Sequence, residues 1–249
     1  MTTFSNASVI VIGGSSGVGR ATVLALANQG ARVLAVARDR ARLEEARREA
    51  AGRIEIAAAD ATDRGALDAL LRQANPDLLV LSAGAPQRLA PIDEHSWESF
   101  SSAWNQDVKV AFELGRAALG LPLRSGSTVV FVSSGAGLGG SPLSGGYAGS
   151  KRMQMFLAGY FQGVSNERGL GIRFVAVVPK QLIVGTRIAD AVSRGYAARA
   201  GISPEQYMER FDVPLTPEAT AAAILSVARG EVAKGATIVG ITGRGVEIL

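Results

Sequence analysis

A tyrosine and a lysine, Tyr147 and Lys151, stand four residues apart directly after the small-residue run SSGAGLGGSPLSGG of residues 133–146. Four residues make about one helical turn, so both side chains would share a helix face. A phenol has a pKa of about 10 and gives up its proton poorly at neutral pH. An ammonium about 4 Å away stabilises the phenolate by roughly 4 kcal/mol at an effective dielectric of about 20. The pair is therefore suited to proton transfer, and we expect the glycines to leave its face open to a small molecule.

A second glycine-rich stretch, GGSSGVG at residues 13–19, lies between the apolar run ASVIVIG and a segment of helical periodicity, GRATVLALANQG. In this position Gly13 permits a tight turn, Gly17 lets the backbone approach a ligand, and Gly19 lets helix and strand pack closely. The free amide groups at the start of the helix attract phosphate. The stretch therefore predicts a dinucleotide site.

The end of the second apolar run, ARVLAVA, indicates which dinucleotide would bind. A carboxylate there would hydrogen-bond both ribose hydroxyls and favour NAD. This chain has Ala37 followed by Arg38, and a guanidinium suits a ribose phosphate. We therefore expect NADP(H) rather than NAD(H). The alternative is that Arg38 is one more arginine of the arginine-rich helix that Asp39 begins.

Short apolar runs alternate with helical segments along the chain, which is typical of a parallel sheet covered on both faces. The predicted strands are ASVIVIG, ARVLAVA, RIEIAAA, PDLLVLSAG, STVVFVSS, GIRFVAVVP and ATIVGI. The chain length suits one large domain. We expect a single α/β domain over residues 1–249, a Rossmann-like doubly wound parallel sheet of about seven strands with helices on both faces.

Two segments are longer than the simple alternation requires. A helical pattern runs from Ser96 to Leu121 and ends at Pro122, with Ser96 as its N-cap. Residues 181–213 follow the sixth strand and hold several glycines among helical fragments. Ligands bind above the carboxyl ends of parallel strands, so we expect residues 181–213 to form a substrate lid. The alternative is a surface elaboration.

Composition excludes several classes of function. The 249 residues include no cysteine and a single histidine, His95, so we expect no metal site. The net charge of +4 comes from mixed charges, as in RDRARLEEARREA, and aromatic residues make up only 6% of the chain, so we expect no nucleic acid partner. The N-terminus does not resemble a signal peptide and no apolar run is long enough for a membrane span. We therefore expect a cytoplasmic protein.

Taken together, these motifs resemble the short-chain dehydrogenase/reductase family. The family's glycine spacing is met by Gly13, Gly17 and Gly19, and its Tyr-x-x-x-Lys by Tyr147 and Lys151. LSAG at residues 81–84 matches a third motif. Further matching positions are Ser134, thirteen residues before the tyrosine, and Asp60 after the third strand. The resemblance covers nearly the whole chain.

The resemblance implies an NADP(H)-dependent oxidoreductase that interconverts a carbonyl and a secondary alcohol. Tyr147 would be the acid/base, Ser134 would hydrogen-bond the substrate oxygen, and Lys151 would also bind the nicotinamide ribose. Asp107 takes the place of the family's catalytic asparagine. The implied cofactor-binding residues are Gly13, Ser15, Ser16, Gly17, Val18, Gly19, Arg38, Asp60, Ala61, Ala83, Gly84, Tyr147, Lys151, Pro179 and Thr186. The family also implies a homodimer or homotetramer formed through the fourth and fifth helices, where AFELGRAALGL carries an apolar stripe that could instead face the sheet.

The chain departs from the family pattern at several positions. We expect the Asp107 carboxylate to pair with Lys151 and weaken its pull on Tyr147. Lys180 could pair with a phosphate or an acidic substrate, or block the nicotinamide. The remaining departures are Ile12, Leu81 and a Thr186 that comes two residues late. These departures keep two other functions open: a non-catalytic nucleotide-binding or sensor protein, and a lyase or isomerase on the same fold. Arg88, Lys180 and Arg187 hint at an acidic substrate group.

Overall fold

In the part of the chain that the structure describes, eight strands form one sheet in the order β3-β2-β1-β4-β5-β6-β7-β8. The structure is a computed structural model and describes residues 4–84, 87–121 and 123–249. The strands are β1 (Ser8–Ile12), β2 (Arg32–Ala37), β3 (Ile54–Ala58), β4 (Leu78–Leu81), β5 (Thr128–Val132), β6 (Arg173–Pro179), β7 (Ile238–Thr242) and β8 (Gly245–Ile248). The first seven are parallel, as predicted, and β8 adds an antiparallel edge strand that the sequence analysis missed.

Helices cover both faces of this sheet, which confirms the doubly wound architecture. The α-helices are α1 (Gly17–Asn28), α2 (Arg40–Glu49), α3 (Arg64–Ala74), α4 (Trp97–Ala103), α5 (Lys109–Gly120), α6 (Ala136–Gly139), α7 (Gly145–Glu167), α8 (Arg187–Ala200), α9 (Pro204–Met208) and α10 (Pro217–Arg229). Helices α1, α2 and α10 contribute to one core cluster, and α3, α5 and α7 contribute to the other. Apolar runs such as Thr128–Val132 are buried along their whole length because both sheet faces are covered.

The helical segment predicted from Ser96 to Leu121 is not one continuous helix. The Ser96 hydroxyl accepts a hydrogen bond from the Ser99 amide, as expected of an N-cap. A π-helical turn over Trp104–Val108 then separates α4 from α5. Pro122, predicted to end the segment, lies outside the described residues. Turns of this kind occur often at functional sites, and this one carries Asp107.

The predicted lid, residues 181–213, is mostly helical and is anchored on the loop before α7. It contains α8, capped by Thr186, and α9, which begins with a full capping box. The Tyr196 hydroxyl hydrogen-bonds the Ser141 hydroxyl and accepts the Leu143 amide at 3.1 Å. These contacts place the segment over the carboxyl end of the sheet, but its role as a lid stays a prediction.

Among the residues that the structure describes, every helix is too short or too polar to cross a bilayer.

Candidate active site

The glycine loop after β1 lies at the point where the strand order reverses, between β1 and β4. Gly13 has a φ of +86°, and a Cβ atom there would come within 2.5 Å of the Ala83 amide nitrogen. A Cβ on Gly19 would come within 2.1 Å of the Gly13 carbonyl oxygen. Any side chain at either position would therefore displace the main chain, as expected for a tight turn and a closely packed helix.

The first turn of α1 is suited to a phosphate group. Ser16 is its N-cap, and the Ser16 side chain makes no capping hydrogen bond, so the first amides of the helix are left for a ligand. Gly17 has a φ of +51°, and the nearest atom to a Cβ built there is the Thr186 methyl group at 3.6 Å. Thr186 thus faces the loop although it comes two residues late in the family pattern. The loop of Ser15, Ser16, Gly17 and Val18 fits a dinucleotide pyrophosphate.

Arg38 and Asp60 lie together beyond the ends of β2 and β3. Asp60 accepts the Thr62 amide at 2.8 Å. Hydrogen bonds from Thr62 lower the pKa of Asp60, and the positive charges of Arg38 and Lys109 lower it further. Asp39 caps α2 by accepting the Arg42 amide. The Arg38 side chain is exposed directly after the end of β2.

Tyr147 and Lys151 lie on one face of α7, as their spacing predicted. Tyr147 is 8% exposed and Lys151 is 4% exposed. The Lys151 Nζ lies 5.5 Å from the centroid of the Tyr147 ring. Gly84, in the loop after β4, lies close to the ammonium, because a Cβ atom built on Gly84 would be 3.8 Å from the Lys151 Nζ. A buried ammonium beside a phenol is the arrangement that proton transfer from the phenol requires.

Ser134 lies just after the end of β5, where a hydrogen bond joins the loop after this strand to α7. The neighbouring Ser133 hydroxyl donates a 2.7 Å hydrogen bond to the main-chain oxygen of Lys151. The Ser134 hydroxyl accepts the Ala136 amide at 3.3 Å. The Gly135 amide donates to the main-chain oxygen of Pro179 at 2.7 Å, which holds the end of β6 against the same loop.

Asp107 pairs with Lys151, as we expected from the sequence. Its Oδ2 lies 3.1 Å from the lysine Nζ, and Asp107 is only 3% exposed. Burial by itself would lower the pKa of Lys151, but the charges of Asp107 and Tyr147 outweigh it, so the net effect raises that pKa. Lys151 therefore stays charged through the neutral range.

Gln154 is a site residue that the sequence analysis missed. It is 0% exposed, and its Oε1 accepts the Lys151 ammonium at 3.2 Å. Its Nε2 donates to the main-chain oxygen of Asp107 at 3.3 Å. A sequence signal was present: Gln154 follows Lys151 by three residues on a helix face whose next members, Met155 and Ala158, belong to the core. A polar residue at such a position needs a buried partner.

The two glycines directly before Tyr147 allow close packing, whereas we expected them to leave open space. A Cβ on Gly146 would come within 1.8 Å of the Phe100 main-chain oxygen, and one on Gly145 within 2.6 Å of the His95 ring. These two glycines let α7 pack against α4 instead of leaving open space. The prediction that the whole run keeps this face open is therefore wrong at both positions.

A small pocket nevertheless borders Tyr147 on the side of α4. Most of the side chains around it are polar. It is lined by Gln87, Arg88, His95, Ser99, Ser102, Ala103, Ser144, Gly146 and Tyr147. Of the three cations that hinted at an acidic substrate, the structure brings Arg88 to this pocket.

Three other departures from the family pattern, Ile12, Leu81 and Lys180, lie in the core or in an ion pair. Ile12 and Leu81 pair in register on β1 and β4, and both side chains are buried in the core. Lys180 forms a 2.6 Å ion pair with Glu247 of β8. Since β8 was not predicted, this partner could not be anticipated.

Comparisons with known proteins agree with this architecture. A family model described as short chain dehydrogenase matches residues 7–196. The chain is 30% identical over 156 residues to 3beta-hydroxysteroid dehydrogenase of Mediterraneibacter gnavus, covering 59% of this chain and 56% of that protein. It is 28% identical over 180 residues to NADPH-dependent pterin aldehyde reductase of Arabidopsis thaliana, covering 69% and 73%.

Solved structures show the same fold. The crystal structure of levodione reductase matches with a TM-score of 0.83 at 21% identity, covering 96% of this chain and 97% of that one. The chain spans about half the length of the first curated relatives it matches. The family match over most of the chain and the Tyr147–Lys151 site lead to one conclusion: this chain belongs to the short-chain dehydrogenase/reductase family.

Proposed function

We propose that the protein is an NADP(H)-dependent oxidoreductase that interconverts a carbonyl and a secondary alcohol, with Tyr147 as the acid/base. The proposal is based on one observation. A buried, charged Lys151 lies beside Tyr147 at the carboxyl end of the strands, where the glycine loop also lies. A substrate oxygen next to this phenol receives or returns a proton as the carbonyl carbon gains or loses hydride.

The nicotinamide cofactor supplies or accepts the hydride when it is bound. The chain's own residues do the rest in this proposal. The α1 amides and the loop of residues 13–19 hold the pyrophosphate. Tyr147 donates its proton to the substrate oxygen in reduction and takes it back in oxidation, while Ser134 orients that oxygen. The Lys151 ammonium stabilises the phenolate and carries N–H groups suited to ribose hydroxyls.

If Arg38 binds the ribose phosphate of NADP(H), its removal should weaken the binding of NADPH. In an Arg38→Ala variant we expect the Kd of NADPH to rise by about 10- to 100-fold, because a charge-assisted hydrogen bond contributes about 1.5–3 kcal/mol. The Kd of NADH, which has no ribose phosphate, should change little. Titration by nicotinamide fluorescence measures both constants.

Arg47→Ala provides the matched control for this titration. Arg47 lies in the last turn of α2 and pairs with Glu44 at 3.4 Å, so its loss removes the same charge farther along the helix. An equal loss of NADPH affinity in both variants would mean that general charge, and not Arg38, selects the cofactor. Binding of neither cofactor by the wild-type protein would contradict the oxidoreductase proposal itself.

A second candidate function is a non-catalytic nucleotide-binding or sensor protein. The observation that favours it is the Asp107–Lys151 ion pair, which offsets the charge that would act on Tyr147. It predicts tight NADPH binding without turnover on any panel of ketones, aldehydes and alcohols. A lyase or isomerase, the third possibility, would convert substrate without net oxidation of added cofactor.

We propose a small polar substrate, because most of the side chains around the narrow pocket beside Tyr147 are polar. Arg88 at the pocket gives an acidic substrate group a place to bind, whereas Lys180 is engaged by Glu247. Residues 181–213 would close over such a substrate through α8. We place this reaction in the cytoplasm, in line with the sequence-based expectation.

We also propose that the protein forms a homodimer or homotetramer through α5 and α7. The apolar stripe of α5 mostly faces the sheet, since Ala111, Leu114 and Ala118 are buried. Three aromatic side chains on the outer side of these helices remain exposed: Phe112, Phe156 and Tyr160, with exposed fractions of 43%, 61% and 63%. Phe156 and Tyr160 stack with their ring centroids 5.7 Å apart, and exposed apolar groups of this kind are typical of interfaces.

A charge on this surface should therefore dissociate the assembly. We expect Phe156→Glu to shift the mass measured by light scattering from a dimer or tetramer toward the monomer, because an unpaired charge in an interface core is costly. Ile202→Glu, at an exposed position after α8, is the control and should keep the wild-type mass. A monomeric wild-type protein would contradict this proposal.

A further inference from the structure

The ammonium of Lys151 is part of a closed ring of polar contacts with two other buried residues, Asp107 and Gln154. Asp107, Lys151 and Gln154 are 3%, 4% and 0% exposed. Lys151 Nζ lies 3.1 Å from Asp107 Oδ2 and donates to Gln154 Oε1 at 3.2 Å. Gln154 Nε2 closes the ring by donating to the Asp107 main-chain oxygen at 3.3 Å. Burying these polar groups is costly, and each hydrogen bond in the ring offsets part of that cost.

The donors and acceptors allow only one orientation of the Gln154 amide. An ammonium can only donate and a main-chain carbonyl can only accept, so Oε1 must face Lys151 and Nε2 must face Asp107. Two of the three N–H groups of Lys151 then point to Asp107 and Gln154. The third is left for the side of Tyr147, whose ring centroid lies 5.5 Å from Nζ. Gln154 therefore determines where the ammonium points.

The charges around Lys151 come from few groups. Within the described part of the chain, the charges that bear on Lys151 are those of Asp107, from the π-helical turn, and of Tyr147, from α7 itself. Gly84 from the loop after β4 and Ser133 from the loop after β5 add no charge there. Asp107 is thus the group that holds the ammonium charged, and it also offsets the pull of that ammonium on Tyr147.

We propose that Asp107 and Gln154 act as a clamp on Lys151, in which Gln154 is a positioning residue that aims the ammonium and Asp107 holds the ammonium charged while offsetting its pull on Tyr147. This inference rests on the proposed function for the role of Tyr147. The ring itself rests on the distances and burial alone, so it can be tested without a substrate.

The test moves the carboxylate from one side of the ammonium to the other. In Asp107→Asn the carboxylate is lost, in Gln154→Glu a second one is added, and the double variant has one carboxylate at position 154. The probe is the NMR signal of isotope-labelled lysine side chains, with Lys151 assigned by its absence in Lys151→Met. The chain has few other lysines, which keeps the spectrum simple.

We expect Lys151 of the wild-type protein to stay charged to the alkaline limit of the folded state. In Asp107→Asn it should lose its proton at least about one pH unit lower, since an opposite charge within hydrogen-bond reach favours the charged form by one unit or more. The double variant should return toward wild-type behaviour. Gln162→Glu, two turns further along α7, is the control and should leave the Lys151 titration unchanged.

The rate gives an independent readout. In Asp107→Asn we expect alcohol oxidation to reach half of its maximal rate about one pH unit lower, because the ammonium then acts on the phenol without an offsetting charge. Gln154→Met removes both amide hydrogen bonds without adding charge, and should lower kcat by about five- to tenfold.

Several results would overturn the clamp. One is a Lys151 titration that Asp107→Asn leaves unchanged, and another is a folded double variant that does not restore it. A third is a Gln154→Met protein that is less stable but keeps the wild-type kcat and pH profile. If the NMR pattern appears and no carbonyl or alcohol is turned over, the ring around Lys151 stands and the oxidoreductase proposal fails.

Discussion

Replacing Tyr147 with phenylalanine is expected to lower turnover by about 10²- to 10⁴-fold while NADPH still binds. The reason is that the substitution removes only the hydroxyl group, and general acid–base catalysis contributes rate factors of that size. The ring keeps its buried place on α7, so the fold and the nearby Lys151 should be little disturbed. Measuring kcat on a carbonyl that the wild type reduces, together with a fluorescence titration of NADPH, checks both halves of the expectation.

Tyr160→Phe is the matched control for this variant. Tyr160 lies on the same helix but is 63% exposed, so the loss of its hydroxyl should leave kcat unchanged. Turnover by Tyr147→Phe at close to the wild-type rate would mean that another group supplies the proton. The assignment of the acid/base would then be wrong even if the protein proved to be an oxidoreductase.

Replacing Lys151 with methionine is expected to cost both activity and stability. The loss of the ammonium leaves the buried Asp107 carboxylate without this cation, and breaking a buried ion pair in this way destabilises proteins by about 3–5 kcal/mol. The surrounding apolar packing is kept because methionine has a similar length. Denaturant unfolding measures the free energy of unfolding, and kcat with NADPH measures the activity.

Adding Asp107→Asn to this variant separates the two losses. The double variant has no buried charge at the site, so we expect it to recover most of the stability but none of the activity. Lys234→Met, at an exposed position, is the control and should change the free energy of unfolding by no more than about 0.5 kcal/mol. If the double variant were as unstable as Lys151→Met, the ion pair would not account for the loss.

The sequence alone predicted the features that depend on residues close together along the chain, within one strand, loop or helix. The alternation of apolar runs and helical segments predicted seven parallel strands, because a strand that is buried on both faces of a sheet is a nearly continuous apolar run. The spacing of Gly13, Gly17 and Gly19 predicted the tight loop. The spacing of Tyr147 and Lys151 placed both side chains on one helix face, because helical periodicity is a local property.

Contacts between distant elements were decided only by the tertiary structure. Gln154 meets the Asp107 carbonyl across 47 residues of chain, and no local pattern marks them as partners. Lys180 meets Glu247 across 67 residues, on a strand too short and exposed to be predicted. The sheet order sets which strand ends and helices become neighbours, and spacing along the chain carries no information about that order.

The glycines before Tyr147 show the same limit within a correctly predicted helix. The sequence indicated that the start of α7 lacks bulky side chains, but it could not say what would use the space. The Phe100 carbonyl of α4 fills it at Gly146, and the ring of His95, which precedes α4, fills it at Gly145. Residue types and spacing along the chain thus predicted the family, the fold and the Tyr147–Lys151 pair. The packing of helices against one another decided how that pair is charged, aimed and enclosed, because those contacts exist only once the sheet has brought the helices together.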